Sequence, residues 1–483
     1  MLLLIAWGLG AAYDDSLADE RAVCDIGSRR ELFVDDYLIE RMDGTRLTLQ
    51  TPRPAETVLR FDRPYEGVFS GYVSVINDGP TYRLYYRGLN SVEGGKADHS
   101  IDNEVTCYAE SRDGIHFSKP DLGLYEVRGS RNNNVILARH EACTNFCPFL
   151  DTRPDVETSR RFKAVGGNHK TGLLGFVSAD GIHWQEIKEN PLITEGAFDS
   201  QNLVFWSEAE GCYVAYFRIS KMIGDKRYRW ISRATSPDFI QWSEPVEMQM
   251  GDVPPEQYYT NQTLPYFRAP HIYIAIFARF MPGRQVVTTA QAEELGVTGD
   301  YAEDCSDAAF MTSRGGNRYD RSFMESFIRP GPGLENWVSR TNYPALGVVP
   351  TGPIEMSCYV QRHYARSDHH LQRVTLRKDG FVCIKAPYEG GELVTKPLTF
   401  QGCRLGINFA TSAAGEIRVE IQDASGKGLP GYRLAESKAL IGDRIDGLAS
   451  WQSGTDVGRL AGQPVRLRFV MKDADLYSIC FHD

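Results

Sequence analysis

The chain has 483 residues, of which 42% are hydrophobic and 24% charged, proportions that are typical of a folded globular protein. Its net charge of −10, without a basic stripe, excludes nucleic acid as a partner, because phosphate binding needs clustered Lys and Arg. The abundance of glycine (45), tyrosine (24) and phenylalanine (23) predicts many short strands joined by tight turns.

The N-terminal residues 1–12 are apolar and end in small residues, like the core and cleavage region of a secretory signal, but they lack its positively charged start. We expect a secreted or periplasmic protein, with a cytoplasmic location as the alternative. No later stretch is long and apolar enough to predict a membrane span.

The ten cysteines are spread singly, apart from Cys143 and Cys147, and a second cluster for a zinc site is absent. We interpret them as buried thiols. If the protein is exported, the alternative is that some of them form one or two disulfides.

A short motif recurs along the chain. Residues 111–117 and 178–184 share the pattern Ser-x-Asp-Gly-Ile-His-aromatic, and residues 236–242 keep Ser, Asp and Trp at the same offsets. Residues 313–319 are a degraded fourth copy, and residues 377–381 are the remnant of a fifth. Because Ser and Asp side chains cap exposed backbone N–H groups and glycine adopts a positive φ, each copy predicts a tight turn.

An alternating strand precedes the first four copies, and the intervals between copies hold four short strands, which is typical of a propeller blade. The sequence therefore predicts an all-β protein, a five-bladed β-propeller followed by a small β-sandwich. We assign residues 1–30 to a leader and linker, 31–388 to the propeller, and 389–483, which lack the motif, to the sandwich. The blades are expected at residues 61–125, 140–190, 195–248, 255–330 and 340–388.

The innermost strands of a propeller converge on a central funnel, so a site there takes side chains from several blades. Acids, amides and aromatic residues stand where the first strand of each unit should begin, at residues 65–72, 145–151, 198–202, 256–262 and 352–357. Sugar sites use carboxylates for proton transfer, amides for hydroxyl groups and aromatic rings for stacking. The sequence therefore predicts a carbohydrate substrate and no cofactor, although a structural Ca²⁺ in the funnel remains open.

In architecture and blade pattern, the chain resembles the five-bladed propeller glycoside hydrolases, the broad group that contains families 32, 43, 68 and 117. The motifs of family 32, Trp-Met-Asn-Asp-Pro-Asn-Gly and Arg-Asp-Pro, are absent. Enzymes of this group place three acids in the funnel. The resemblance implies Glu66 as base or nucleophile, Asp199 as the orienting acid and Glu256 as the general acid, with Glu355 in reserve.

Structural roles are the alternatives for these acids: Glu66 and Glu256 lie beside prolines and suit loops, and Asp199 could cap backbone N–H groups. The polar residues near the expected strand starts are candidates for substrate binding: Asn145, Gln201, Asn202, Asn261, Arg268, His271, Arg340 and Tyr343.

The leading function is a glycoside hydrolase that acts on an extracytoplasmic glycan through paired carboxylates in the funnel. One alternative is a sialidase-like hydrolase, because the motif resembles the sialidase Asp box, but its arginine triad and Tyr–Glu pair cannot be placed. The other alternative is a non-catalytic carbohydrate-binding propeller. Converging carboxylates would favour hydrolysis, an arginine cluster would favour the sialidase, and a funnel without acids would leave binding alone. The sequence does not specify an oligomeric state.

Overall fold

The computed structural model describes residues 23–90, 95–298 and 301–483, so the predicted export segment lies outside the described residues. Two compact units are present. One is Thr48–Cys383, and the other contains the described residues before Thr48 together with Ile384–Asp483. The N-terminal strands are β1 (Cys24–Gly27), β2 (Glu31–Leu32), β3 (Ile39–Asp43), β4 (Arg46–Leu49) and β5 (Arg53–Arg60).

The described part of the first unit contains five sheets of four or five strands, so the predicted five-bladed propeller is confirmed. Blade 1 contains β6 (Gly71–Asn77), β7 (Tyr82–Gly88), β8 (Val105–Ser111) and β9 (Val135–Ala138). Blade 2 contains β10 (Cys147–Leu150), β11 (Phe162–Asn168), β12 (Gly172–Ser178) and β13 (Gln185–Glu186). Blade 3 contains β14 (Leu203–Ser207), β15 (Cys212–Ile223), β16 (Lys226–Ser236) and β17 (Val246–Glu247).

Blade 4 contains β18 (Tyr258–Thr260), β19 (Thr263–Tyr266), β20 (Ala269–Met281), β21 (Cys305–Ser313) and β22 (Ser326–Ile328). Blade 5 contains β23 (Val349–Pro350), β24 (Glu355–Arg362) and β25 (His370–Arg377). Its outermost strand is β5, which pairs antiparallel with β25 and places Arg60 opposite His370. The ring is therefore closed by a strand from the N-terminal side of the propeller, which leaves β25 paired along both edges.

The first strands of the blades form the innermost ring: β6 contacts β10 and β23, β10 contacts β14, and β14 contacts β19. Buried amides meet at the centre of this ring. Gln262 donates from Nε2 to Oε1 of Gln201 at 2.8 Å, and Gln201 donates in turn to Oγ of Ser74 at 2.9 Å. These hydrogen bonds join three blades, although Oε1 of Gln262 has no partner among the described residues.

The predicted Ser–Asp turn is found at the ends of β8, β12 and β16, in blades 1, 2 and 3. In blade 2, Oδ1 of Asp180 accepts hydrogen bonds from the N–H groups of Ile182 and His183, both at 2.9 Å. Oγ of Ser178 accepts from the N–H of Gly181 at 2.9 Å, and Gly181 has a φ of 75°. The side chains thus replace backbone partners that a tight turn leaves unpaired.

The same turns also contact the preceding blade. The hydroxyl of Tyr359 in blade 5 donates to the carbonyl of Gly114 at 2.5 Å, and Arg83 in blade 1 donates to the carbonyl of Asp180 at 2.7 Å. A Cβ on Gly181 would stand 2.6 Å from the hydroxyl of Tyr85, so only glycine fits this close approach. The motif therefore closes a hairpin and joins neighbouring blades.

The second unit is built on one ten-stranded sheet that contains β1–β4 and the C-terminal strands. The latter are β26 (Val382–Ala386), β27 (Gly391–Thr395), β28 (Leu398–Phe400), β29 (Arg404–Asp423), β30 (Asp443–Leu448) and β31 (Val465–His482). The pairing of β29 with β31 shifts register between Thr411 and Glu416. Side chains from both halves of these long strands share one core, so the sheet folds back on itself as a β-sandwich.

Residues 31–47, which the sequence analysis placed at the start of the propeller, lie in this second unit. The reason is long-range pairing, because β2 pairs with β31 and β3 pairs with β27.

The single α-helix in the described residues is α1 (Thr289–Glu294), which is too short and polar to cross a membrane. No other described helix has the length or apolar character to do so. Short 3₁₀ helices are found at Glu141–Thr144, Thr158–Arg160, Leu334–Asn336, Leu434–Glu436 and Gly458–Leu460.

Candidate active site

A cavity of about 470 Å³ lies at one end of the propeller ring. All five blades contribute to its lining, through Tyr72, Asn168, Asp199, Tyr259 and Gln361. Tyr72 and Tyr259 stand on the innermost strands β6 and β18, and Asp199 precedes the innermost strand β14. The cavity therefore occupies the funnel at which a propeller site is expected.

Glu104 forms part of the cavity wall, directly before strand β8. Its side chain is buried, its carboxylate lies 2.6 Å from Nδ1 of His99, and it accepts a hydrogen bond from the hydroxyl of Thr144. Burial acts to raise the pKa of Glu104, but the hydrogen bonds and the nearby charge of Arg87 outweigh it and lower the pKa below its ordinary value. Glu104 is therefore an ionised carboxylate held in the wall of the funnel.

Asp304 occupies the corresponding place in blade 4, directly before strand β21. It lines a neighbouring cavity of about 340 Å³, which shares His99 and Arg340 with the first. Burial raises the pKa of Asp304 above its ordinary value, although a hydrogen bond with Ser339 and the charge of Arg340 oppose this shift. Its Oδ1 has no hydrogen-bond partner among the described residues. The environments of Glu104 and Asp304 thus shift their two pKa values in opposite directions.

Asp199 and Arg218 form an ion pair at the rim of the cavity. The carboxylate of Asp199 is half exposed, whereas the guanidinium of Arg218, from strand β15, is almost covered. Arg218 also lies over the ring of Tyr259, 5.4 Å from its centroid. Asp199 therefore orients a cation against an aromatic ring of the site.

Tyr259 is the phenol on which the positive charges of the site converge. Burial acts to raise the pKa of Tyr259, but the charges of Arg340, Arg218, Arg229 and Arg87 outweigh it and lower the pKa below its ordinary value. Its ring also contacts the ring of another lining residue, Tyr343, with centroids 4.8 Å apart. Of these four arginines, Arg87 and Arg340 line the cavity itself, together with Tyr259 and Glu104.

Of the catalytic acids predicted from the sequence, Asp199 lines the cavity, and the other three are not among the described residues that do so. Glu66 is fully buried inside blade 1, where it accepts a hydrogen bond from the hydroxyl of Tyr86 at 2.5 Å and pairs with Lys119 at 2.8 Å. This environment holds Glu66 away from solvent.

Glu256 and Glu355 are likewise paired with arginines. Glu256 contacts Arg321 at 2.9 Å and Arg279 at 3.2 Å beside a different cavity, to which blades 3 and 4 both contribute. Glu355, the first residue of strand β24, contacts Arg373 of strand β25 at 2.8 Å. Both acids begin or precede strands as expected, but their ion pairs place them in the blade walls.

Among the predicted substrate-binding residues, Arg340 and Tyr343 line the cavity. The buried amides bind the backbone instead: Asn145 donates to Gly167 O at 2.9 Å, Asn202 donates to Ser200 O at 2.9 Å, and Asn261 accepts from Thr263 N at 3.1 Å. Gln201 belongs to the central amide network. Arg268 pairs with Asp379 at 3.1 Å, and His271 stands on β20; neither is among the described residues that line the cavity.

Sequence reasoning did not find Arg87, Glu104, Arg218 or Asp304, because it searched the starts of the first strands. Glu104 and Asp304 share a signal that it overlooked: each acid directly precedes a long strand, β8 or β21, after a long connection. Arg87 and Arg218 lie on second strands, where an arginine is normally read as a surface residue.

Comparisons with known proteins give resemblances of fold. No protein-family model and no curated protein matches the chain. Similar solved structures include a protein titled glycoside hydrolase, with 11% identity, a TM-score of 0.43, and coverage of 70% of this chain and 92% of that chain. An N-acetylgalactosamine deacetylase from F. plautii has 11% identity, a TM-score of 0.44, and coverage of 70% and 97%. A β-1,2-mannobiose phosphorylase from Listeria innocua has 12% identity, a TM-score of 0.43, and coverage of 68% and 97%.

Proposed function

We propose that the protein is a glycoside hydrolase whose active site is the funnel that Glu104 and Asp304 border. The observation that carries this proposal is the opposite environment of these two carboxyl groups in adjoining cavities. Hydrolysis of a glycosidic bond needs one carboxylate and one protonated carboxyl group at the same time. Burial raises the pKa of Asp304 and so favours its protonated form, and hydrogen bonds favour the ionised form of Glu104.

Each group has a defined role in this mechanism. Asp304 donates its proton to the glycosidic oxygen as the bond to the anomeric carbon breaks. Glu104, as the carboxylate, either attacks the anomeric carbon or takes a proton from an attacking water. Asp199 acts through Arg218, as the orienting acid that the sequence predicts, and it touches neither the breaking bond nor the proton in transit.

The substrate is a carbohydrate. A volume of about 470 Å³ lies in the range of small-ligand pockets and accommodates a short saccharide. Tyr72, Tyr259, Tyr343 and Tyr364 supply aromatic surface to the lining, and Asn168 and Gln361 supply amides for hydroxyl groups. This chemistry needs no cofactor, and a glycan outside the cytoplasm agrees with the export predicted for the N-terminal residues.

The test is a hydrolysis screen against a panel of glycans and aryl glycosides, with wild-type protein, Glu104→Gln and Asp304→Asn. We expect a drop in rate on the order of 100-fold to 10,000-fold in each variant, because each removes one partner of the acid–base pair. Glu126→Gln, an exposed acid of the same blade as Glu104, is the matched control and keeps full activity. Full activity in both site variants would overturn the assignment. Binding of glycans without hydrolysis would leave the carbohydrate-binding alternative.

A second candidate, a sialidase-like hydrolase, is favoured by the arginines that surround Tyr259. In that mechanism the phenolate of Tyr259 is the nucleophile and Glu104 assists it. Tyr259→Phe keeps the ring and removes the oxygen. It abolishes turnover if Tyr259 is the nucleophile, and it leaves most of the activity if Glu104 has that role.

A further inference from the structure

Several buried hydrogen-bond donors around the funnel lack acceptors, and three of the residues that carry them, Arg87, Arg340 and Tyr343, line the cavity. Arg87 is 8% exposed, and it donates from Nη2 to the carbonyl of Phe69 at 3.0 Å, but its Nε has no partner among the described residues. The same holds for Nε of Arg340, Nη1 of Arg218 and the hydroxyl of Tyr343. A buried donor without an acceptor costs about 1–3 kcal/mol, so donors from three blades point to an absent acceptor.

The charges at this place are also unbalanced. Asp199 forms an ion pair with Arg218, and the charge of Arg87 lowers the pKa of Glu104. Arg340 forms no ion pair with any described carboxylate, although its charge acts on the buried Asp304; it lies over the ring of Tyr301, 4.9 Å from the centroid. Arg229 likewise forms no ion pair with a described carboxylate, and its guanidinium group lies 5.1 Å from the ring centroid of Tyr259. Four guanidinium groups, those of Arg87, Arg218, Arg229 and Arg340, thus act on Tyr259 in a chain with a net charge of −10.

We infer that the sugar bound in the funnel carries an anionic substituent, a carboxylate or a sulfate ester, which the cavity-lining residues Arg340, Arg87 and Tyr343 hold. This inference rests on the proposed function and names its substrate class. Guanidinium groups match the oxygens of such anions with paired, charge-assisted hydrogen bonds. The anion supplies both the missing acceptors and the missing negative charge, which a neutral hydroxyl group does not.

Binding of free monosaccharides, measured by calorimetry, tests the inference without any need for turnover. The probes are matched pairs: D-glucuronate with D-glucose, D-galacturonate with D-galactose, and D-galactose 6-sulfate with D-galactose. We expect at least one anionic sugar to bind about tenfold more tightly than its neutral partner, with the advantage shrinking at high salt. The stronger of the two arms, carboxylate or sulfate, identifies the anion. Equal affinities within every pair, or no binding by any anionic sugar, would overturn the inference.

Variants of Arg340 locate the effect. Arg340→Met removes the charge at similar length and is expected to abolish the preference for the anionic partner, whereas Arg340→Lys retains part of it. Arg112→Met, on an exposed turn of blade 1, is the control and keeps the preference. Thermal melting of each variant verifies that it is folded. A full preference in Arg340→Met would contradict the assignment.

The outcomes separate this inference from the proposed function. If anionic sugars bind preferentially but no aryl glycoside of any kind is hydrolysed, the proposed hydrolase activity is refuted and the anion site is supported. Hydrolysis of neutral aryl glycosides at the same rate as their uronic or sulfated counterparts would refute the anion site and leave the hydrolase standing.

Discussion

Asp199 pairs with Arg218 at the rim of the funnel, and the same guanidinium group lies over the ring of Tyr259. One half-exposed carboxylate thus fixes a cation on which two parts of the site depend. Because Asp199 is itself half exposed, the pair contributes only about 0–1 kcal/mol to folding. Its importance is therefore expected in activity and not in stability.

Asp199→Asn is expected to lower kcat/KM on the order of 100-fold, because Arg218 loses the charge that orients it, while the melting temperature changes little. The measurement is steady-state kinetics on the best substrate of the glycan screen. Glu247→Gln is the matched control, because Glu247 pairs with Lys221 of the same strand β15 at 2.7 Å and is 52% exposed. Wild-type kinetics in Asp199→Asn would show that Asp199 has no part in the site.

The pH dependence of kcat/KM is expected to be bell-shaped with an acidic optimum. Glu104 has to be ionised, so activity is lost as the pH falls through its lowered pKa. Asp304 has to be protonated, so activity is lost as the pH rises through its raised pKa. The pH–rate profile of Asp304→Asn then lacks the alkaline limb. An alkaline limb that survives this substitution would assign the acid to another group.

Local sequence was sufficient for the blade pattern. The turn at Ser178 and Asp180 depends on side chains two or three residues apart, so its copies could be recognised without knowledge of the fold. The edge of the propeller was not predictable in this way. Strand β3 pairs with β27, from the opposite end of the chain, and no local signal in residues 31–47 indicates that partner.

The site was predictable only in part, for the same reason. Asp199, Arg340 and Tyr343 flank innermost strands or the segments next to them, and the strand pattern indicated them. Glu104 and Asp304 directly precede β8 and β21, each after a long connection in the sequence. The place at which such a connection ends depends on tertiary packing, so its last residue could not be placed from sequence.

Glu256 and Glu355 differ in whether their partner arginine keeps another carboxylate after the acid is removed. Glu256→Gln is expected to destabilise the protein by about 3–5 kcal/mol, because the side chain of Arg321 is 0% exposed and Glu256 is its sole ion-pair partner among the described residues. Glu355→Gln is the control, with a loss of about 1 kcal/mol or less, because Arg373 keeps Glu56 at 2.8 Å. Denaturant unfolding measures both. Equal losses would show that Arg321 does not depend on Glu256.

The repeated turn is expected to contribute to stability in blades 1, 2 and 3, where an Asp accepts from two backbone N–H groups. Asp180→Ala removes the acceptor of two backbone N–H groups and should cost about 1 kcal/mol. Asp225→Ala, in the exposed β15–β16 hairpin, is the control and should cost little. The hydrogen bonds lower the pKa of Asp180, although burial opposes them. Its contribution is therefore present above the unfolded-state pKa near 4 and is lost as the pH falls towards the folded-state pKa. The difference in unfolding free energy between wild type and Asp180→Ala should shrink in acid, and a difference that stays constant from neutral to acidic pH would contradict this account.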